Sequence, residues 1–179
     1  MQFLAYREAF QQHIGLDPYL ADESDLSAAA LERGISAASM ERLDWLDLLL
    51  DQVLAPALPG EAITVIHDFL PEQAALSRIR QDEPPVAERF EIFLGQMELA
   101  NGYHELCDVA EQRARFEADN RRRREHGLPQ RPLDEYLLAA LDSGLPDCSG
   151  VALGLDRLLM LRTGIEDIRR VLAFDWQAC

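Results

Sequence analysis

Apolar residues recur at helical spacing through the first third of the chain, and then the period changes. Leu4, Phe10 and Ile14 predict a helix over Phe3 to Ile14. Asp25-Leu26-Ser27 leads into an alanine-rich helix that stops near Gly34. Met40 to Leu54 places Leu43, Leu46, Leu50 and Leu54 on one stripe, and Pro56 and Pro59 close that helix. Residues 1–60 thus read as a helical preface. Ala62 to Phe69 (AITVIHDF) is β-branched and apolar, which predicts a strand. Val86 to Leu94 and Met97 to Leu106 predict a hairpin turning at Gly95-Gln96. Helices are expected over Ala110 to Arg124 and Leu133 to Leu141, then a strand over Ser149 to Gly154. A last helix runs from Leu155 through Leu161 to Gly164. Grouped strands with long helical insertions indicate an α+β fold, a mainly antiparallel sheet flanked by helices, in one domain overall.

Composition narrows the class. The 179 residues are 48% hydrophobic, enough to bury a core. Formal net charge is -15, and all 17 basic residues are Arg. So acidic a chain is a poor non-specific binder of nucleic acid, which requires a basic surface to release counterions. An anionic nucleotide can still be held by a few Arg, helix N-termini and a divalent cation. No apolar run approaches the roughly 20 residues that span a bilayer, and the N-terminus lacks a signal pattern. Cys107, Cys148 and Cys179 are odd in number and widely spaced, which gives neither a zinc motif nor a disulfide frame. The expected compartment is the cytoplasm. Arg121 to Arg124 is the one dense basic cluster. It reads either as a solvated helix C-terminus complementing the dipole or as a contact for an acidic partner.

Two segments carry candidate chemistry. The first runs Arg89-Phe90-Glu91-Ile92-Phe93-Leu94-Gly95-Gln96-Met97-Glu98-Leu99-Ala100-Asn101-Gly102-Tyr103-His104-Glu105-Leu106. A two-residue turn pairs Leu94 with Met97 and Phe93 with Glu98, so Glu91 lies diagonal to Glu98 on one face. Two such carboxylates suit Mg²⁺, a hard ion that shares its oxygen ligands with phosphates. Spacing alone leaves open a solvent-facing acidic strand pair. Strict alternation would turn Glu98 away from Asn101, Tyr103 and Glu105. A bulge is therefore required, and Asn101-Gly102 is its expected place. With the bulge, an amide, an aromatic wall and a carboxylate project together and suit an ammonium-bearing ligand. The alternative is a core Tyr beside an exposed Glu.

The second segment is Gly150-Val151-Ala152-Leu153-Gly154-Leu155-Asp156-Arg157-Leu158-Leu159-Met160-Leu161. Small residues on alternate strand positions admit a flat ligand close to the backbone. Gly154 opens a helix with Arg157 in its first turn, a combination able to clamp a triphosphate. Asp156 with Arg157 could equally be a cap and a structural ion pair.

Together these segments resemble class II lysyl-type aminoacyl-tRNA synthetases. G-x-A-L-G-L-D-R-L-L-M-L is similar to their motif 3, and R-F-E-I-F-L-G-x-x-E-L-A-N-G-Y-H-E-L to the strand pair before it. The likeness runs from about Tyr6-Arg7-Glu8-Ala9-Phe10 to Phe174. Within the family, His104 before Glu105 and the run Pro146 to Gly154 resemble the branch that ligates (R)-β-lysine to elongation factor P. Ala152 stands where lysyl-tRNA synthetases usually have Gly.

The resemblance implies the C-terminal half of the synthetase core over residues 61–179, with site roles to match. Glu98, with Glu91 behind it, would hold Mg²⁺ on ATP. Leu99 and Gly154 would meet the nucleotide through backbone, and Arg157 would bind the γ-phosphate. Glu105 would pair with the side-chain ammonium of lysine or β-lysine, in a pocket completed by Asn101, Tyr103 and Ala152. No catalytic acid, base or nucleophile is assigned. The implied reaction is adenylation of the amino acid and transfer to a lysine of elongation factor P. Self-association, or a homodimer, is expected; composition argues against a membrane, and the acidic surface argues against tRNA as a partner. The family's motifs 1 and 2 belong upstream and are not found in these residues; Arg89-Phe90-Glu91 only mimics motif 2. That leaves a piece of a longer frame or a half-protein needing a partner, and an apolar, exposed face is expected. The competing readings are a fragment of lysyl-tRNA synthetase and a non-catalytic synthetase-like binding module.

Overall fold

The computed structural model describes residues 1–38 and 40–176; Cys179 lies outside them. The chain opens with β1 (Gln2–Ala5), not with helix. Ala5 is extended (ψ 143°), and α1 (Tyr6–His13) begins only after it. This corrects the helix expected from Phe3. Four residues are too few to display alternation, and β1 pairs in parallel with a strand some sixty residues on, so no hairpin signal accompanies it. α2 (Glu23–Glu32) starts one turn earlier than Asp25 indicated. Asp22 caps it by accepting from the Ser24 and Asp25 N–H groups, and Asp25 returns the bond, a capping box worth about 1 kcal/mol.

α3 (Arg42–Leu49) runs on into a π-helical stretch (Leu50–Leu54) and a final turn, α4 (Ala55–Ala57). Pro56 therefore does not stop the helix. The Ala55 N–H reaches back five residues to the Leu50 carbonyl, and the widened turn takes up the proline. Tyr6 and Phe10 of α1, Leu26 of α2, Leu46 and Leu49 of α3, and Leu54 are fully buried against Ile66 and Phe69. Each such side chain contributes about 1.5–3 kcal/mol of burial. Tyr6 packs its ring 4.7 Å from both Phe10 and Phe69.

Among the described residues the sheet has six strands, in the order β1, β2 (Ile63–Phe69), β4 (Val86–Leu94), β5 (Met97–His104), β6 (Ser149–Leu153), with β3 (Ile79–Arg80) paired to β4. Every pairing except β1 with β2 is antiparallel. The β4–β5 hairpin turns at Gly95-Gln96, pairing Leu94 with Met97 and Phe93 with Glu98. Between β5 and β6 come α5 (Val109–Glu125) and α6 (Glu135–Asp142). α7 (Leu155–Thr163) follows β6 directly and ends at Gly164, whose φ of 67° fits the left-handed cap glycine provides. Among the described residues no helix is long and apolar enough to cross a membrane.

Candidate active site

A bulge organises the site, two residues before the place expected. Phe93 faces Glu98 and Ile92 faces Ala100, so Leu99 has no partner and is the inserted residue. The effect on parity is the one the chemistry needs. Glu98, Asn101 and Tyr103 of β5 share a sheet face with Arg89, Glu91 and Phe93 of β4. Gly150 and Ala152 of β6, opposite Tyr103 and Asn101, lie on that face as well. Sequence alternation could show that a bulge was required, but not which residue would be looped out.

Glu91, Glu98 and Arg157 open into one cavity of about 700 Å³. One wall is α3 with the π-helical turn that continues it, which together contribute Asp44, Asp47 and Asp51. Six carboxylates (these five and Glu72) face the guanidiniums of Arg89, Arg122 and Arg157, so the cavity is formally negative. Glu98 is half-exposed. Its main-chain carbonyl accepts from Arg157 Nη1 at 2.7 Å, and its carboxylate is 3.4 Å from the same nitrogen. Glu91 is buried. Burial pushes its carboxyl above the usual range, the neighbouring Arg89 pulls it back, and Glu98 and Asp47 push it up again. Its Oε1 is held by the Arg89 guanidinium and by Asn101 Nδ2 at 3.3 Å.

Gly154 forms the N-cap of α7, and its N–H donates to the Leu99 carbonyl at 2.8 Å. The bulge and the helix start are thus tied directly, and Arg157 rises one turn beyond. That carbonyl is committed within the protein, which leaves other backbone groups of this junction to meet a ligand.

Glu105 stands apart from the large cavity. It follows β5, bridges to Ser77, and lines a second cavity of about 450 Å³ with Arg78, Glu111 and Asp147. Its Oε1 sits over Gly150, where an added Cβ would be only 2.5 Å away. Beside it, His104 bridges Glu88 (Nδ1, 3.1 Å) and Asp147 (Nε2, 2.5 Å). The bond from His104 holds the Asp147 carboxyl low, and the bond from Arg78 does the same for Glu88. This cluster fastens the loop before β6 to β4 and β5.

Several site residues were not foreseen. Asp44, Asp47 and Asp51 follow the leucine stripe of α3 one position behind, so the helix presents an acidic edge along its apolar one; the spacing was visible but its target was not. Gln73 and Ala75 come from the loop after Phe69, where Ala75 has φ 50°, a strained value for a side-chain-bearing residue. Arg89, which mimics motif 2 in sequence, lies beneath the cavity with its guanidinium 4.6 Å over the Phe69 ring. Arg122, from the basic run, pairs with Glu41 of the chain's own preface. An acidic contact for that run therefore exists within the molecule.

Among the described residues no group of three or more His, Cys, Asp or Glu side chains is arranged to hold a metal. Mg²⁺ on a nucleotide needs only one or two carboxylates, with phosphate and water completing the octahedron. Glu98, half-exposed on the cavity wall, fits that requirement, and Glu91 has one oxygen, Oε1, already engaged by Arg89 and Asn101.

Residues 35–177 match the family of class II tRNA synthetases (D, K and N). The chain is 47% identical over 174 residues to proteins of Klebsiella pneumoniae (strain 342), Salmonella heidelberg (strain SL476) and Salmonella agona (strain SL483). Each of these is named elongation factor P–(R)-β-lysine ligase, and each match covers 96% of this chain and 54% of the relative. The chain spans about half the length of the curated relatives it matches.

Proposed function

Because this chain belongs to the class II tRNA synthetase family (D, K and N), we propose that it forms the nucleotide-and-amino-acid half of a ligase that adenylates (R)-β-lysine or lysine. The observation that carries the reading is the single cavity shared by Glu91, Glu98 and Arg157 on the bulged hairpin and the following helix. The substrate carboxylate attacks the α-phosphorus of ATP. A carboxylate oxygen–phosphorus bond forms, and the bond to the β-phosphate bridge breaks, releasing pyrophosphate. The ε-amine of an acceptor lysine then attacks the acyl carbon, AMP leaves, and the amine proton passes to solvent.

Arg157 meets the γ-phosphate, while Leu99 and Gly154 shape the nucleotide's backbone contacts. Glu98, backed by Glu91, would hold Mg²⁺, whose charge would offset that of the phosphates. Glu105 takes the side-chain ammonium beside Asn101, Tyr103 and Ala152. These groups orient the reactants and balance charge. The relatives' name points to elongation factor P as the acceptor, and the charge of -15 gives tRNA no basic track. We place the protein in the cytoplasm and expect self-association through its exposed apolar face.

The test is ATP–pyrophosphate exchange with each lysine isomer. Exchange with (R)-β-lysine in preference to α-lysine is the expected result. Preference for α-lysine would favour a lysyl-tRNA synthetase function. Absence of exchange with both, in a folded protein, would favour a non-catalytic binding module.

A further inference from the structure

We infer that Arg89 is a positioning residue, which sets the aim of both Glu91 and Asn101; its effect on substrate rests on the function proposed above. Its guanidinium is held on three sides. One nitrogen pairs with Glu91 Oε1, and another donates to the Gln73 carbonyl at 2.9 Å. The plane stacks on Phe69. Glu91 Oε1 in turn receives Asn101 Nδ2, so a single guanidinium orients a carboxylate of the cavity and an amide of the proposed amino-acid pocket. Gln73 is fixed from the other side, with its Nε2 donating to Asp47 Oδ1 at 2.9 Å and to the Tyr6 hydroxyl at 3.3 Å. The layer thereby joins α1, α3, β4 and β5 under the cavity floor.

Three atoms of this layer, Arg89 Nε, Gln73 Oε1 and Asn101 Oδ1, are buried without a protein partner. Purely structural networks satisfy nearly all such atoms, and exceptions cluster where a ligand or water completes them. Arg89 is mostly covered and its guanidinium is engaged by Glu91 and Gln73, so it acts through Glu91 and Asn101. Lysine cannot replace it, because a single ammonium lacks the planar fork that spans Glu91 and the Gln73 carbonyl while stacking on a ring.

The experiment combines two readouts on wild type, Arg89→Lys, Arg89→Met, Glu91→Gln and the Arg89→Met/Glu91→Gln double variant. The first is the side-chain amide NMR signal of Asn101. Both Arg89 variants should shift it and speed its hydrogen exchange, Arg89→Lys less, while melting temperature stays close to wild type in Arg89→Lys. The second is calorimetric binding of Mg-ATP and of both lysine isomers. Arg89→Met should weaken binding by about tenfold or more, and the double variant should lose little beyond either single one, because the two residues act as a unit. An unmoved Asn101 signal, or losses that simply add, overturns the inference. If the wild-type protein binds neither nucleotide nor lysine, the proposed function fails, while the Asn101 signal still decides whether Arg89 sets the aim.

Discussion

Arg157 is the residue on which the nucleotide assignment turns. It lies in the first turn of α7, and its Nη1 bonds the Glu98 carbonyl while its charge faces the cavity. A guanidinium so placed discriminates by phosphate number. Arg157→Ala should weaken ATP binding by roughly ten- to a hundredfold, the loss of a charge-assisted contact, and leave AMP binding nearly unchanged; calorimetry with both nucleotides checks this. Equal losses would move Arg157 away from the γ-phosphate. Much at this scale was readable in advance. The pairing of Phe93 with Glu98 followed from turn length alone, and Glu91 and Glu98 do share a cavity. Arg89 was unreadable because its importance lies in partners far along the chain, Phe69 and Gln73, which no local spacing announces.

Among the elements, the β5–β6 pair is the least tolerant of added volume. A Cβ at Gly102 would stand 2.3 Å from Phe90 Cζ and 2.7 Å from the Gly150 carbonyl, which is backbone and cannot step aside. A Cβ at Gly150 would meet only Glu105 Oε1, the tip of a flexible side chain. The two substitutions should therefore part company. Gly102→Ala should lower stability by about 2 kcal/mol or more, seen as a shifted chemical-denaturation midpoint. Gly150→Ala should fold normally but weaken lysine binding by displacing the Glu105 carboxylate. Loss of stability in both would show that Glu105 is rigidly wedged. Hairpin, charged helix and motif-3 strand were legible because each is contiguous and carries its own turn or cap. β1 and β3 were not: each is only two to four residues long, too short to display alternation, and β1 pairs with a strand some sixty residues on.

At the level of the whole molecule, charge and apolar surface pull in opposite directions. The net charge of -15 opposes association at long range. Yet β6 is one of the sheet's two outer strands, and on its face away from Ala152 it leaves Val151 and Leu153 60% and 50% exposed. Leu155, Leu158 and Leu159 of α7 add further exposed apolar surface. An outer strand of this kind is a template for another chain. Sedimentation velocity across the micromolar range should show concentration-dependent association, stronger at high salt where charge is screened. Val151→Lys with Leu153→Lys should abolish it. A wild-type protein that stays monomeric at every concentration and salt would refute the expectation.

The single unpaired residue at Leu99 makes the chemistry sensitive to counting. Were β5 to pair straight through Leu99 instead, Met97 and Glu98 would each slip by one position along β4. Glu98 would then look out from the reverse side, opposite Asn101 and Tyr103. The strand pair would survive such a slip, and the carboxylate of Glu98 would be lost to the cavity.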